Sequence, residues 1–440
     1  MQRLVTLCGI VLLACVTGCG RPPIPQTTNI QATTDVQGAS AANLPPAKFA
    51  PDDWPGWRGP QYDGVATESV VPATWSDTQN IVWKSKLPGR GHSSPIIVGD
   101  RIYLETADDA AQTQSVLAVN RATGKWVWQT TIFEGGFEEA MHNENTQASS
   151  TLATDGERLF ALFLNDRRIW CSGLSLEGEE LWRQEVGGFR SRFGYSASPL
   201  VYQSLVILAA DHDEGGFIAG LDRASGHIVW RRKRPGNSSY ASPRVVTLSG
   251  RDQVVICGCK QVNSYDPLTG EELWSVEGTT ESTVGTPVVS GNTVIVSGGY
   301  PGAETLAIDN TGKVLWRVKD KCYVPSLLAA NGFLYLMQDD GIAKCLDANT
   351  GKELWKHRVG GKYRTSPLLV GDLIYVTDMS GKTTVFKASP TSFELVGENQ
   401  LGTEGFASPA VSRNQLFLRV ADDSGGRREE FLYCIGEPVK

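Results

Sequence analysis

Tyr323-Val324-Pro325 opens and Cys345-Leu346-Asp347-Ala348-Asn349-Thr350-Gly351-Lys352-Glu353-Leu354-Trp355 closes the stretch of this chain that decides its fold. Two short apolar runs lie between them, each of strand length. The Asp347 side chain is placed to accept hydrogen bonds from backbone N–H groups of the following turn, and Gly351 supplies the positive φ that the turn needs. Glu353-Leu354-Trp355-Lys356-His357 then alternates as a strand does. Such a unit has two faces to bury and cannot bury them alone.

The unit recurs. Its closing Trp appears at Trp83, Trp128, Trp182, Trp230, Trp274, Trp316 and Trp355, at intervals of 45, 54, 48, 44, 42 and 39 residues. In the next copy Ser392-Phe393-Glu394-Leu395-Val396 puts Val396 in the Trp position. The opening recurs as Ser94-Pro95, Ser150-Thr151, Ser198-Pro199, Ser242-Pro243, Thr286-Pro287, Val324-Pro325, Ser366-Pro367 and Ser408-Pro409. A period of roughly 40–45 residues made only of strand signals predicts a β-propeller. The eight openings and eight closings are offset: Trp83 precedes the first opening, and the last opening runs to Cys434-Ile435-Gly436 with no closing strand. The fold expected is all-β, with eight four-stranded antiparallel blades. Asn80-Ile81-Val82-Trp83-Lys84-Ser85 would complete the last blade and close the ring, leaving no bare edge there.

The turn signal before each closing strand reads Asn120…Thr123-Gly124, Asp222…Ser225-Gly226, Asp266…Thr269-Gly270, Asp309…Thr311-Gly312 and Asp347…Thr350-Gly351. Each closing Trp would bury roughly 150–250 Å². At about 25 cal/mol per Å² that is on the order of 4–6 kcal/mol before ordering costs. These tryptophans are therefore read as structural docking residues.

Ala118-Val119-Asn120…Gly124…Trp128 and Cys345-Leu346-Asp347…Gly351…Trp355 both fit the tryptophan-docking signature of pyrroloquinoline-quinone (PQQ) repeats. The chain resembles the PQQ-like propeller family over most of residues 80–436, including the non-enzymatic BamB-like lipoproteins of outer-membrane protein assembly. That resemblance implies a protein-binding scaffold with assembly components as partners and no cofactor. The alternative it carries is a periplasmic PQQ-dependent oxidoreductase, alcohol dehydrogenase-like, with calcium. The dehydrogenases carry adjacent cysteines beside the quinone, and this chain has no Cys-Cys pair, Cys257-Gly258-Cys259 being the nearest thing. No nucleophile motif, P-loop or paired metal motif is found either. The chain is thus expected not to be an enzyme and to carry no catalytic, cofactor-binding or metal-binding residues.

The N-terminus reads as an export address. Arg3 precedes an apolar core from Leu4 to Ala14, too short to span a bilayer comfortably. Val16-Thr17-Gly18-Cys19 looks like a lipoprotein box, which makes Cys19 the lipidation site and residues 1–19 the signal peptide. Residues 20–50 are rich in Pro, Thr, Gln, Ala and Ser and are expected to be a disordered tether, with the propeller over 51–440. Gly20 after Cys19 favours the outer membrane, with the ring facing the periplasm or the cell surface. Trp54-Pro55-Gly56-Trp57-Arg58-Gly59-Pro60 is expected to pack over one face or rim, or to serve as a docking epitope. A formal net charge of −7, or −8 once a leader containing only Arg3 is removed, argues against a nucleic-acid surface. The ring is expected to be monomeric.

Six cysteines fall within the ring: Cys171, Cys257, Cys259, Cys322, Cys345 and Cys434. Cys345 and Cys434 share one repeat position and read as small core residues. An export address permits disulfides, and Cys322 with Cys345 is one candidate pair.

Function in a propeller sits on loops. The loops leading into each blade, with those joining second and third strands, gather a candidate binding face: His92, His142, Arg190, Arg192, Tyr195, Tyr240, Tyr323, Tyr363, Arg364 and Phe406, together with Asp211, His212 and Asp213. Aromatics and charges interleaved in this way suit a polar or peptide partner. A carbohydrate- or peptide-binding surface protein is a further alternative. Asp211-His212-Asp213-Glu214 reads either as a metal-ligand cluster or as a solvated acidic turn before Gly215-Gly216.

Overall fold

The computed structural model describes residues 34–138 and 141–437. Cys19 and the leader lie outside the described residues. Eight antiparallel sheets follow one another along the chain. Blades one to seven span 96–134, 153–188, 200–233, 244–277, 288–318, 328–358 and 368–400. Blade eight takes three strands from 410–435 and its fourth, Ile81–Leu87, from the N-terminal side. Trp83 lies opposite Cys434 in that pairing. The fold is the expected eight-bladed propeller, closed by a strand that precedes the first blade.

The repeated residues act between blades as well as within them. Asp347 Oδ1 accepts the N–H groups of Asn349 and Thr350 at 3.1 and 2.9 Å, and Asp266 holds Leu268 and Thr269 in the same way. The glycine that follows adopts positive φ, and the Trp of the preceding blade lies where its side chain would be. A Cβ on Gly351 would stand 2.7 Å from the Trp316 ring, and one on Gly124 would stand 2.6 Å from Trp83. Most docking indoles also donate to a carbonyl of the next blade: Trp83 to Arg121 at 3.0 Å, Trp230 to Pro267 at 3.1 Å and Trp316 to Ala348 at 3.1 Å. Trp274 instead bonds Gln253 Oε1 of its own blade at 2.9 Å. The third-strand residue opposite each Trp is small, as with Gly220 opposite Trp230 and Cys345 opposite Trp355.

Blade seven corrects the sequence reading. Its register places Gly397, not Val396, at the Trp position: Gly397 lies opposite Val385, as Trp355 lies opposite Cys345. The missing ring is supplied from elsewhere in the chain. Trp75 is buried and stacks on Tyr375 at 6.2 Å. Tyr375 occupies the second-strand position held by Tyr103, Phe160, Tyr335 and Phe417 in other blades, and those four rings meet Trp128, Trp182, Trp355 and Trp83. The segment carrying Trp75 is pinned by Asn399, whose Oδ1 accepts Trp75 N at 2.7 Å and whose Nδ2 donates to Ala73 O at 3.0 Å. Gly397 leaves room for it, since a Cβ there would meet Ala73 O at 2.4 Å.

The expected tether is also corrected in its second half. Val36–Gln37 adds a fifth strand to the outer edge of blade three, with Val36 opposite Arg231. Lys233 N donates to Asp35 and Leu44 N to Ser204 Oγ, at 2.8 and 3.1 Å. The residue just before each docking Trp is apolar, and this segment covers the blade-three copy. Val229 is 5% exposed, whereas Leu181 and Leu315 are 45% and 46% exposed. A polar composition suggested disorder, but an apolar outer edge with open backbone groups gave the segment a partner. A second added strand, Val65–Ala66, runs parallel to the inner strand of blade seven. The six cysteines are free and buried, so Cys322 and Cys345 form no bridge.

A buried polar seam joins blade eight to blade one. Arg419 and Glu430, each 2% exposed, form an ion pair. Arg419 Nη1 donates to Glu105 O at 2.8 Å, and Glu430 accepts Gly91 N at 3.0 Å. The Glu105 side chain is itself buried. One oxygen accepts Leu162 N of blade two at 3.2 Å, and the other has no partner among the described residues. Burial holds its pKa well above the ordinary value.

Trp75→Ala should destabilise the ring by about 3–5 kcal/mol, as for other buried aromatic truncations. Trp126→Ala, at a half-exposed ring that is not a docking Trp, should cost far less, and urea denaturation of both variants separates the two. Glu105 takes up a proton on folding, so its contribution is complete below the unfolded value near 4.5 and is lost as pH rises towards its raised folded value. Glu105→Gln should therefore match wild type in acid and gain on it by on the order of a few degrees in Tm towards pH 8.

Candidate functional site

The loop leading into each blade brings one hydroxyl to the channel axis, two residues before the first strand begins. These are Ser94, Thr151, Ser198, Ser242, Thr286, Ser326, Ser366 and Ser408. At seven of the eight junctions the backbone N–H of one blade's residue donates to the hydroxyl oxygen of the next. The links run Ser94 to Thr151 (3.0 Å), Thr151 to Ser198 (3.0 Å) and Ser198 to Ser242 (2.9 Å). They continue from Thr286 to Ser326 (3.0 Å), Ser326 to Ser366 (2.9 Å), Ser366 to Ser408 (2.8 Å) and Ser408 back to Ser94 (3.0 Å). Thr286 Oγ1 accepts the Trp57 indole N–H at 3.0 Å. The result is a collar of hydroxyls around the channel.

The sequence showed this collar as its repeated opening, with two slips. Keying on proline placed blade six at Val324-Pro325, whereas the collar residue is Ser326. In blade two it is Thr151, not Ser150. The segment of Trp57 is expected from sequence to pack over one face or rim, or to serve as a docking epitope. Trp57 lies at the floor of the channel, lining both the cavity above the collar and a smaller one below it.

Above the collar the channel widens into a cavity of about 220 Å³. Of the expected face, His92, His142, Tyr240, Tyr323, Arg364 and Phe406 line it, together with Phe193 and Glu144. His92 stacks on Phe406 at 4.1 Å, and Phe193 contacts His142 at 5.0 Å and Tyr240 at 6.0 Å. Burial, then the positive charges of Arg90, Arg419 and Arg428, hold His92 well below the usual imidazole range, so its ring is neutral at pH 7. Arg364 reaches across the mouth from the loop before blade seven to Glu144, in the loop before blade two, at 2.9 Å. It also approaches Asp339 at 3.5 Å.

Other expected face residues belong elsewhere. Tyr195 is core, its hydroxyl donating to Ala209 O at 2.9 Å, and Tyr363 is fully buried in the hydrophobic packing of blades six and seven. Asp211 is buried in a two-point pair with Arg234, at 2.7 and 3.0 Å. His212 is buried against Phe189. Asp213 accepts the Ser238 hydroxyl at 2.6 Å, and Glu214 pairs with Arg190 at 2.7 Å. The acidic run thus fans out to four separate partners rather than converging. Arg192 remains on the rim, its guanidinium over Phe193 at 4.6 Å.

The mouth does not fit PQQ held with calcium. Calcium takes several carboxylate or carbonyl oxygens, and among the described residues the one carboxylate on the wall of this cavity, Glu144, is engaged by Arg364. The described cysteines are buried within the ring, none on the wall.

This architecture defines a propeller of PQQ-type repeats with an aromatic channel mouth. The family model described as "Outer membrane protein assembly factor BamB" matches residues 65–131, 112–342, 302–392 and 339–427, and the chain belongs to that family. Outer membrane protein assembly factor BamB of Burkholderia pseudomallei is 24% identical over 78% of this chain and 85% of its own length. Tetrathionate hydrolase of Acidithiobacillus ferrooxidans is 24% identical over 72% of this chain and 69% of its own. The crystal structure of BamB from Moraxella catarrhalis superposes with a TM-score of 0.59 at 19% identity, covering 80% of this chain and 99% of that one.

Removing a collar hydroxyl strands a buried N–H. Ser198→Ala should therefore cost about 1–3 kcal/mol by leaving Thr151 N unpaired, read as a lowered denaturation midpoint.

Proposed function

We propose that this chain is a non-catalytic scaffold of the cell envelope that binds protein partners in outer-membrane protein assembly, as the BamB-type name of its family implies. The observation that carries the reading is the family match across residues 65–427. The mouth supports it chemically. Tyr, Arg and aromatic rings clustered around a concave site are the residue types that dominate protein-binding energetics. His92 is neutral, and Glu144 on the cavity wall is paired with Arg364. In this reading the ring is tethered at the outer membrane by lipid on Cys19, works as a monomer and faces the periplasm.

A second reading, an enzyme, is favoured by the match to tetrathionate hydrolase. Disappearance of tetrathionate in the presence of purified protein would establish it; under the scaffold reading the compound persists.

Cys19→Ala should move the protein from the membrane fraction to the soluble fraction, and continued membrane retention would contradict the lipid tether. Affinity capture from solubilised envelope should recover a β-barrel assembly component. Tyr323→Ala combined with Arg192→Ala should weaken that capture by about 2 kcal/mol or more, while Leu315→Ala, on the outer strand of blade five, should not.

A further inference from the structure

The floor of the channel carries an uncompensated positive charge. Arg58 and Arg244 are 4% and 7% exposed. Arg58 Nη2 donates to the carbonyls of Asp63 and Leu327, both at 2.7 Å, while its Nε and Nη1 have no partner among the described residues. The carboxylate in this region, Asp63, lies 3.7 Å from Arg244, so two buried cations share one anion. Burial and then Arg244 press the Arg58 guanidinium down to about 9. A buried cation without a full partner is costly, and an anion is what relieves it.

Arg58 lines a small cavity with Trp57 and the collar residues Ser94, Ser366 and Ser408. On the other side of Trp57, collar residues also line the mouth cavity. Every collar oxygen accepts one N–H, from the backbone or from Trp57. A hydroxyl keeps one proton to donate, and among the described residues none of the eight is spent on a protein acceptor. The collar is therefore a converging ring of O–H donors above a buried cation. The one acidic side chain on the cavity wall, Glu144, is matched by Arg364. The cavity is thus rich in donors and poor in unpaired negative charge among the described residues.

We propose that the collar binds an anion: the carboxylate or sulfonate end of a small organic molecule rests against the collar hydroxyls above Trp57, and its apolar remainder lies among Phe406, His92 and Tyr323. Arg58 acts from beneath, through its field. This site lies beneath the partner-binding rim and shares Tyr323 with it, while Trp57 and Arg58 belong to it alone.

The test uses the full chain labelled with 5-fluorotryptophan, the Trp57 resonance being assigned by Trp57→Phe. Benzenesulfonate should shift that resonance saturably, with a Kd on the order of millimolar or tighter. Benzyl alcohol should bind at least about tenfold more weakly, and benzamidinium should leave the resonance in place. Arg58→Met should weaken the sulfonate about tenfold while sparing the alcohol. If that variant does not fold, the wild-type comparison of sulfonate with amidinium decides alone. Equal binding of the cation or the neutral alcohol, or a Trp57 resonance unmoved by sulfonate, would overturn the proposal.

Discussion

Closure of the ring rests on seven bonds between neighbouring blades at the axis, with the Trp57 indole taking the hydroxyl at the junction of blades four and five. A backbone N–H near the start of one blade's first strand finds the hydroxyl of the next blade, and the last link returns to the first. These groups are buried, so each unmade link would leave a donor without water or partner. The requirement is also cyclic. No blade can satisfy its own collar residue, and removing a blade breaks two links, or one at blades four and five, between which Thr286 Oγ1 accepts the Trp57 indole instead. The hydrophobic contacts between blades supply most of the driving force, but they are tolerant of small shifts. The collar sets the angular spacing and places the channel walls.

The outer perimeter is held by a different contact, the docking tryptophan lying over a glycine of the following blade. The N-terminal segment completes both circles. Trp57 donates to Thr286 at the collar, Trp75 takes the docking place that Gly397 leaves open, and Ile81–Leu87 completes blade eight. One continuous stretch therefore touches the axis, the perimeter and the seam. Its sequence, with closely spaced Trp and Pro residues, has the composition of a turn-rich element because it serves as a set of inserts rather than as a blade.

The periodic part of this design was legible from residues alone. Asp347, Gly351 and Trp355 each have a local physical reason, and the offset of openings and closings revealed the closure through Trp83. What escaped the reading lies where a partner comes from far along the chain. Val396 seemed the stand-in for a Trp because spacing ignores the bulge that precedes each docking position, and Trp75 is 300 residues from its Tyr375 neighbour. Residues 34–50 looked featureless because their order comes from the edge of blade three. At the site, His92, His142, Tyr240, Tyr323, Arg364 and Phe406, grouped by their loop positions, line the mouth. It failed for Tyr195, Tyr363 and Asp211, whose side chains turn into the core, a choice of strand face that loop position does not reveal.

Amide hydrogen exchange of the collar residues tests the central claim most directly. If the hydroxyl circle is one cooperative unit, the N–H groups of Ser94, Thr151, Ser198, Thr286, Ser326, Ser366 and Ser408 exchange together, at the rate of global unfolding. Loosening the closing strand by Trp83→Ala then speeds all of them alike. Exchange blade by blade, or acceleration confined to Ser94 and Ser408 in that variant, would contradict the account.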